Sequence, residues 1–276
     1  MSGALRFRVV SSGSGGNATL VEAAGTRLLI DAGLGPRELA ERLQAIGVDP
    51  ASLAAVVLSH EHGDHARGVA SFARRWGMPV VGTRGTYAAA GLGAVEIPRY
   101  DVVAADGRLR IGAIELRCVA TPHDAAEPVA FVVAAGGVSL GHATDLGHVS
   151  RGVVEAFRSC DALLIESNYD PAMLRDGPYP WTLKERILSP RGHLSNADIA
   201  RFLGDGLGAA CGRLVLAHLS QKNNHPELAL MSAETALRRR GRTEVAVEIT
   251  GPEGTGWIAL GPEPPAARGP EQLALF

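Results

Sequence analysis

The chain has 276 residues, 46% of them hydrophobic and 20% charged, with a formal net charge of -2. A chain of that length buries a substantial core, and so even a charge balance excludes a protein that holds nucleic acid through its overall field; any such contact must come from a local patch. It has no run of about 18 apolar residues and no apolar stretch behind a basic start, so neither a helical membrane span nor export is expected.

Leu5 to Val10 alternates apolar and basic residues and runs into Ser11-Ser12-Gly13-Ser14-Gly15-Gly16-Asn17. Such a loop of small side chains and free backbone N–H groups suits either close approach to an anion or a tight turn. Ser12, Ser14 and Asn17 are its candidate substrate contacts. Ala18 to Ala23 and Thr26 to Ile30 read as a hairpin about Ala24-Gly25 that ends at Asp31, where a carboxylate is costly unless donors or a cation meet it. Arg37 to Ile46 is an amphipathic helix stopped by Gly47.

Val56-Val57-Leu58-Ser59-His60-Glu61-His62-Gly63-Asp64-His65 is the densest run of metal-ligand residue types in the chain. A strand buried on both faces ends there in three histidines and two acidic side chains. With a helix from Ala66 to Trp76 behind the turn, His60 and His62 point one way while Asp64 and His65 reach a second point a few ångströms off, so one turn can serve two metal ions. A solvated loop is the plain alternative. Three histidines interleaved with Asp seldom arise from solvation alone, because His is an uncommon residue and a common ligand.

Pro79 to Gly82 is a short strand, Arg84 to Ala90 helical, and Val95 to Ile114 a set of strands parted by turns at Asp106-Gly107 and Gly112. Ile114 to Thr121 leads into Thr121-Pro122-His123-Asp124. Val129 to Ala134 and Val138 to Leu140 pair across Gly136-Gly137 and lead to Asp145. After helix Ser150 to Phe157, the strand Ala162 to Ile165 ends at Glu166. Tyr169 to Pro190, with Pro178 and Pro180, reads as an irregular connection flanking a short helix.

Arg191-Gly192-His193-Leu194-Ser195-Asn196 opens a helix to Leu203, and strand Arg213 to Ala217 ends in His218. Glu227 to Arg240 is a helix with an Arg-rich end, and Glu244 to Ile249 and Trp257 to Leu260 are closing strands. Beyond Gly261 the Pro, Gly, Ala and Glu composition builds no core, so residues 1–261 form the folded domain and 262–276 a flexible tail. The three cysteines, Cys118, Cys160 and Cys211, are far apart and odd in number; they read as buried apolar residues of a cytoplasmic protein.

Hydrophobic strands repeatedly end in one ligand-type residue: Asp31, His60, His123, Asp145, Glu166 and His218. Strands presenting such residues at one edge converge on one cleft. The pattern H-x-H-x-D-H resembles the signature of the metallo-β-lactamase fold superfamily. The resemblance implies an α/β (α+β) chain folded as a four-layer αββα sandwich, with two sheet-forming halves parting near residue 125. It also implies ligands: His60, His62 and His123 for a first metal, Asp64, His65 and His218 for a second, Asp145 bridging, and Asp31 supporting the turn from behind.

Imidazole and carboxylate donors without a thiolate suit Zn²⁺ and also Mn²⁺. Two such ions about 3.5–4 Å apart lower the pKa of a shared water, so hydrolysis by a bridging hydroxide is the expected class. His142, His148 and His225 match no ligand position and read as ordinary polar histidines.

Branch-specific residues narrow the chemistry. The bridging position reads Ala143-Thr144-Asp145 without the Cys of a lactamase, which favours phosphodiesters or thioesters. Gly192-His193-Leu194-Ser195-Asn196 and Glu166 resemble the elements by which tRNA 3′-processing endonucleases of this fold protonate a leaving oxygen, with His193 as the acid and Glu166 orienting it. Together with Ser11 to Ala18, Ala217-His218-Leu219-Ser220 and Asn223-Asn224, these stretches resemble the YycJ/WalJ group, regarded as 5′-to-3′ DNA exonucleases linked to repair.

The resemblance implies Asp64, His193 and Glu166 as catalytic residues and adds Ser195, Asn196 and Asn223 to the candidate substrate contacts. A thioester hydrolase of the glyoxalase II type, an RNA-processing nuclease and a non-catalytic regulatory protein are the competing expectations. Basic residues for nucleic acid are sought at Arg238-Arg239-Arg240 with Arg242, and at Lys184, Arg186 and Arg191. The terminal Gln272-Leu273-Ala274-Leu275-Phe276 resembles the pentapeptide by which bacterial replication and repair proteins bind the sliding DNA clamp, with Gln272, Leu273, Leu275 and Phe276 as its contacts.

Overall fold

A computed structural model describes residues 5–261. Alternation along the strands decides the layering. In β1 (Leu5–Ser11), Leu5, Phe7 and Val9 enter one core while Val10 enters another; in β3 (Thr26–Ile30), Leu28 and Ile30 enter the first and Leu29 the second. A strand apolar on both sides has to be covered on both sides, which forces a second sheet on one face and helices on the other.

The first sheet runs in the order β14 (Ile258–Leu260), β1, β2 (Ala18–Ala23), β3, β4 (Ala55–Val57), β5 (Val80–Gly82), β6 (Tyr100–Val102). The second runs β13 (Ala246–Ile249), β12 (Arg213–Ala217), β11 (Ala162–Glu166), β10 (Val138–Ala143), β9 (Val129–Ala135), β8 (Ile114–Ala120), β7 (Arg108–Ile111). Residues of both sheets, among them Phe7, Ile30, Val57, Phe131, Leu164 and Val215, form the core between them. Helices α1 (Pro36–Ala45) and α3 (Val69–Trp76) bury Leu39, Leu43 and Phe72 against the outer face of the first sheet. Helices α5 (Arg151–Phe157), α8 (Asn196–Asp205) and α9 (Pro226–Arg239) do the same on the second through Phe157, Leu203 and Leu237. This is the expected αββα sandwich.

Strands β3 to β6 pair in parallel, as do β10 to β13. The carboxyl ends of both parallel runs therefore carry the loops that bear the site, as open α/β sheets generally do.

Three expectations change. The sheets part between Val102 and Arg108 rather than near residue 125, because β8 pairs with β9 from Glu115↔Ala134 to Ala120↔Val129 and is held in the second sheet. The helix expected from Ala66 is two pieces, α2 (Gly63–Ala66) and α3, parted at Gly68, where a Cβ would lie 2.2 Å from the Leu34 carbonyl oxygen. The stretch from Tyr169 to Pro190 holds two helices, α6 (Pro171–Asp176) and α7 (Trp181–Leu188). Its prolines open helices instead of breaking them: Pro171 follows the capping side chain of Asp170, and Pro180 immediately precedes α7. All three cysteines are buried and free. Among the described residues no helix is long and apolar enough to cross a membrane.

Candidate metal centre and active site

The chain turns sharply where the site is built. Asp31, Asp145 and His218, each just past the end of a parallel strand, adopt φ of 62°, 58° and 55°. That left-handed conformation costs a non-glycine residue about 1–2 kcal/mol, and strain of this kind gathers at functional sites. Here it turns three ligand-type side chains into one cleft.

Two groups result. His60, His62 and His123 bring their ring nitrogens together, with His123 Nε2 3.2 Å from His62 Nδ1. Asp64, His65, Asp145 and His218 form the second group, in which His65 Nε2 lies 2.6 Å from Asp145 Oδ2 and His218 Nε2 3.3 Å from Asp64 Oδ2. Asp145 Oδ2 is also 3.3 Å from His60 Nε2, so this carboxylate stands between the groups. The structure brings together all seven residues expected as ligands.

Each of four imidazoles is anchored through its Nδ1. His60 meets Ser59 Oγ at 3.0 Å, His65 donates to Asp31 Oδ2 at 2.8 Å, His123 to the Gly192 carbonyl at 3.0 Å, and His218 to Glu166 Oε1 at 3.0 Å. Asp31 also receives the Ser59 backbone N–H and hydroxyl, both at 2.8 Å, which is how its buried charge is satisfied. Anchoring one nitrogen to a carboxylate or carbonyl fixes the tautomer and leaves the other to a metal. His60 Nε2 is buried and has no hydrogen-bond partner among the described residues, a costly condition that a cation would relieve. The donor set fits divalent metal ions.

Electrostatics agree with the geometry. Burial opposes charge on His65, yet Asp145 and Asp31 outweigh it and carry the ring up to about 10. His218 rises well above its usual range for the same reason, burial being overcome by Asp145, Asp64 and Glu166. Burial would raise Asp145, but His218, His65 and His193 hold it well below the ordinary carboxylate range. The carboxylates demand positive charge, and metal ions would displace the protons that otherwise supply it.

Glu166 ends β11 fully buried. Its Oε1 accepts from His193 Nδ1 at 2.6 Å and from His218 Nδ1 at 3.0 Å, while Oε2 accepts the backbone N–H of Leu146 at 2.8 Å and of Leu194 at 3.4 Å. Burial would depress His193, but Glu166 and Asp145 prevail and bring it to about 10. His193 also lines the cleft beside His62, Asp64 and His218.

Of the six expected substrate contacts, only Ser14 lines this cleft. Burial corrects the others. Ser12 accepts the His218 backbone N–H at 2.8 Å and so supports that ligand, while Asn17 supports the metal turn, its Nδ2 3.0 Å from His65 Nε2 and its Oδ1 capping Gly13. Ser195 caps α8 in a capping box with Asp198, Asn196 binds Ser167 and Asn224, and Asn223 is fully buried.

The basic patches shrink likewise. Lys184 is buried on the carbonyls of Arg175 and Gly177, Arg191 holds the carbonyls of His123 and Ala125, Arg240 that of Leu203, and Arg242 those of Gly208, Ala209 and Cys211. Arg186 does reach the cleft, paired with Asp124 at 2.5 Å. Sequence reasoning missed Asn168, which holds the His218 carbonyl at 2.8 Å and borders the cleft, and Asp124, whose place beside His123 in Thr121-Pro122-His123-Asp124 was the available signal. His142 is buried between the sheets on Thr19 Oγ1 at 3.1 Å, while His148 and His225 are exposed.

A model of the beta-lactamase superfamily domain matches residues 26–219, which span the metal turn, Asp145, Glu166, His193 and His218. The chain belongs to the beta-lactamase superfamily. This member is 35% identical over 231 residues to the protein named exodeoxyribonuclease WalJ of Streptococcus pneumoniae, covering 82% of this chain and 86% of that one. It is 34% identical over 239 residues to the one named exodeoxyribonuclease YycJ of Bacillus anthracis, covering 86% and 90%. It is therefore a YycJ/WalJ-like member. Among solved structures, the metallo-beta-lactamase fold protein YhfI of Bacillus subtilis aligns with a TM-score of 0.72 at 17% identity, over 93% of this chain and 99% of that one, which shows the shared fold. With the metal-ligand groups above, this superfamily member is a metal-dependent hydrolase.

Proposed function

We propose that this superfamily member is a dinuclear-metal phosphodiesterase that degrades DNA from the 5′ end in repair or replication. The observation that carries the reading is the His193–Glu166 pair, 2.6 Å apart beside the two ligand groups. A buried acid–base pair has a use when an alkoxide must leave, and little when the leaving group is a thiolate. The relatives named exodeoxyribonucleases, at 35% and 34% identity, support the same reading.

Two ions, Zn²⁺ or Mn²⁺, would be held by His60, His62 and His123 and by Asp64, His65 and His218, with Asp145 between them. When bound they supply Lewis acidity toward a phosphoryl oxygen and a water of lowered pKa. The chain supplies the rest. Glu166 keeps the proton on His193 and orients its ring, and His193 gives that proton to the departing oxygen, a contribution worth about 10²–10⁴-fold. Assaying bis-p-nitrophenyl phosphate beside S-lactoylglutathione tests the class: the reading predicts turnover of the diester and none of the thioester.

The reading extends to the C-terminus. Gln272, Leu273, Leu275 and Phe276 lie outside the described residues; their sequence suits a short linear motif on a Pro-rich spacer, able to hold a sliding clamp while the domain works on DNA. Purified clamp should bind the full chain and not a chain ending at Glu271. Three free, buried cysteines fit a cytoplasmic setting.

A further inference from the structure

The wall of the cleft that faces the ligand groups comes from α7 and the turn before it, and the chemistry above makes no use of it. Tyr179, Leu183 and Ile187 line that wall. They pack with Tyr169 and Leu174 into a small apolar cluster separate from the cores of the sandwich. Tyr179 stands between Pro178 and Pro180. Proline fixes its own φ and holds the residue before it in extended conformation, so the Tyr179 ring is presented with little backbone freedom left to lose.

Cations flank this apolar wall. Lys222 Nζ lies over the Tyr179 ring, 5.7 Å from its centroid, and Arg186 lines the cleft in its pair with Asp124. An aromatic face with cations beside it, next to a centre that acts on phosphodiesters, has the composition of a surface that binds a nucleic-acid strand through stacked bases and neutralised phosphates. The cleft volume, about 370 Å³, is that of a small-molecule pocket.

We infer that Tyr179 is the base-stacking platform of the cleft: its ring takes the unpaired base next to the phosphodiester being cut, Leu183 and Ile187 extend the apolar surface, and Lys222 meets the strand's phosphate. The inference rests on the phosphodiesterase reading and adds to it a positioning residue.

The test uses the full-length, metal-loaded protein and single-stranded oligonucleotides that carry either a normal or an abasic residue at the end being cut. Tyr179→Phe should act within about twofold of the parent. Tyr179→Ala should raise KM for the intact strand about 5- to 150-fold, the size of one base–aromatic stack, with a smaller change in kcat. Tyr179→Leu, which keeps apolar packing without the ring, should match Tyr179→Ala in KM; both should retain metal content, and Tyr179→Leu the melting temperature of the parent as well. The abasic end should raise KM for the parent by a similar factor and add nothing in Tyr179→Ala or Tyr179→Leu. An abasic penalty that persists undiminished in both variants, or an unchanged KM for the intact strand, would overturn the inference while leaving the phosphodiesterase reading intact. A parent protein that cuts no strand at all would remove that reading and the inference with it.

Discussion

Glu166 Oε1 lies 2.6 Å from His193 Nδ1, and the same oxygen lies 3.0 Å from His218 Nδ1. One buried carboxylate thus orients both the proposed proton donor and a proposed metal ligand. Glu166→Gln should therefore do two things at once. It should weaken metal binding about 10–100-fold, as loss of a ligand's outer partner does, and slow cleavage of ordinary phosphodiesters. Metal titration and turnover on the same preparation check this; full metal affinity with reduced turnover would mean that the contact to His218 does not support the metal.

His193→Ala separates the two roles. It should keep its metal content and lose about 10²–10⁴-fold in the cleavage of a DNA linkage, while p-nitrophenyl diesters, whose leaving group needs no proton, lose far less. Equal losses on both substrates would make His193 a structural or metal-binding residue.

Gly33 faces the metal turn more closely than any side chain would allow. A Cβ there would lie 1.7 Å from the Asp64 carbonyl oxygen and 2.7 Å from the Asn17 nitrogen, and the Asn17 N–H donates to that same Asp64 oxygen at 2.7 Å. Gly33→Ala has to push the turn that carries Asp64 and His65. It should cost about 1–3 kcal/mol of stability, the usual price of overpacking, and lower metal content. Denaturant unfolding with elemental analysis would show both.

His142 predicts how the fold responds to acid. Burial between the sheets lowers its pKa to about 4, with the Asp31 carboxylate only partly compensating. The unfolded chain takes up the proton near pH 6.5 and the folded chain does not, so stability from this residue is lost as pH falls from about 6.5 toward about 4. Between pH 7 and pH 5 the loss amounts to about 2 kcal/mol. In His142→Gln that portion of the acid dependence should vanish, which urea unfolding at the two pH values would reveal; an unchanged pH difference would contradict it.

Much of the site was legible because its residues are of rare type and end hydrophobic strands. His60, His62, Asp64 and His65 sit in one turn, and Asp31, Asp145 and His218 each follow, and Glu166 ends, a strand whose apolar run is plain. What was not legible depends on side chains distant in sequence. The Glu166–His218 contact joins residues 52 apart, and nothing local in either segment announces it. Ser195 and Asn196 looked like polar residues near a site and turned out to be taken up by the cap of α8 and by Ser167 and Asn224, partners that cannot be read from their neighbours, while Asn223 is fully buried and does not line the cleft. Lys184 and Arg242 misled in the same way: a charge in the sequence does not disclose that carbonyls have claimed it. The wall carrying Tyr179 was hidden because Pro178 and Pro180 signal a break equally well whether a helix ends or begins there.

The account stands most directly on degradation of end-labelled strands. Metal-loaded protein should release the label of 5′-labelled single-stranded DNA at once and shorten 3′-labelled DNA progressively, with two metal ions per chain. His60→Ala and Asp145→Ala should have lost both the metal and the degradation. Hydrolysis of S-lactoylglutathione with the DNA left intact, or DNA degradation undiminished in the two metal-site variants, would contradict it.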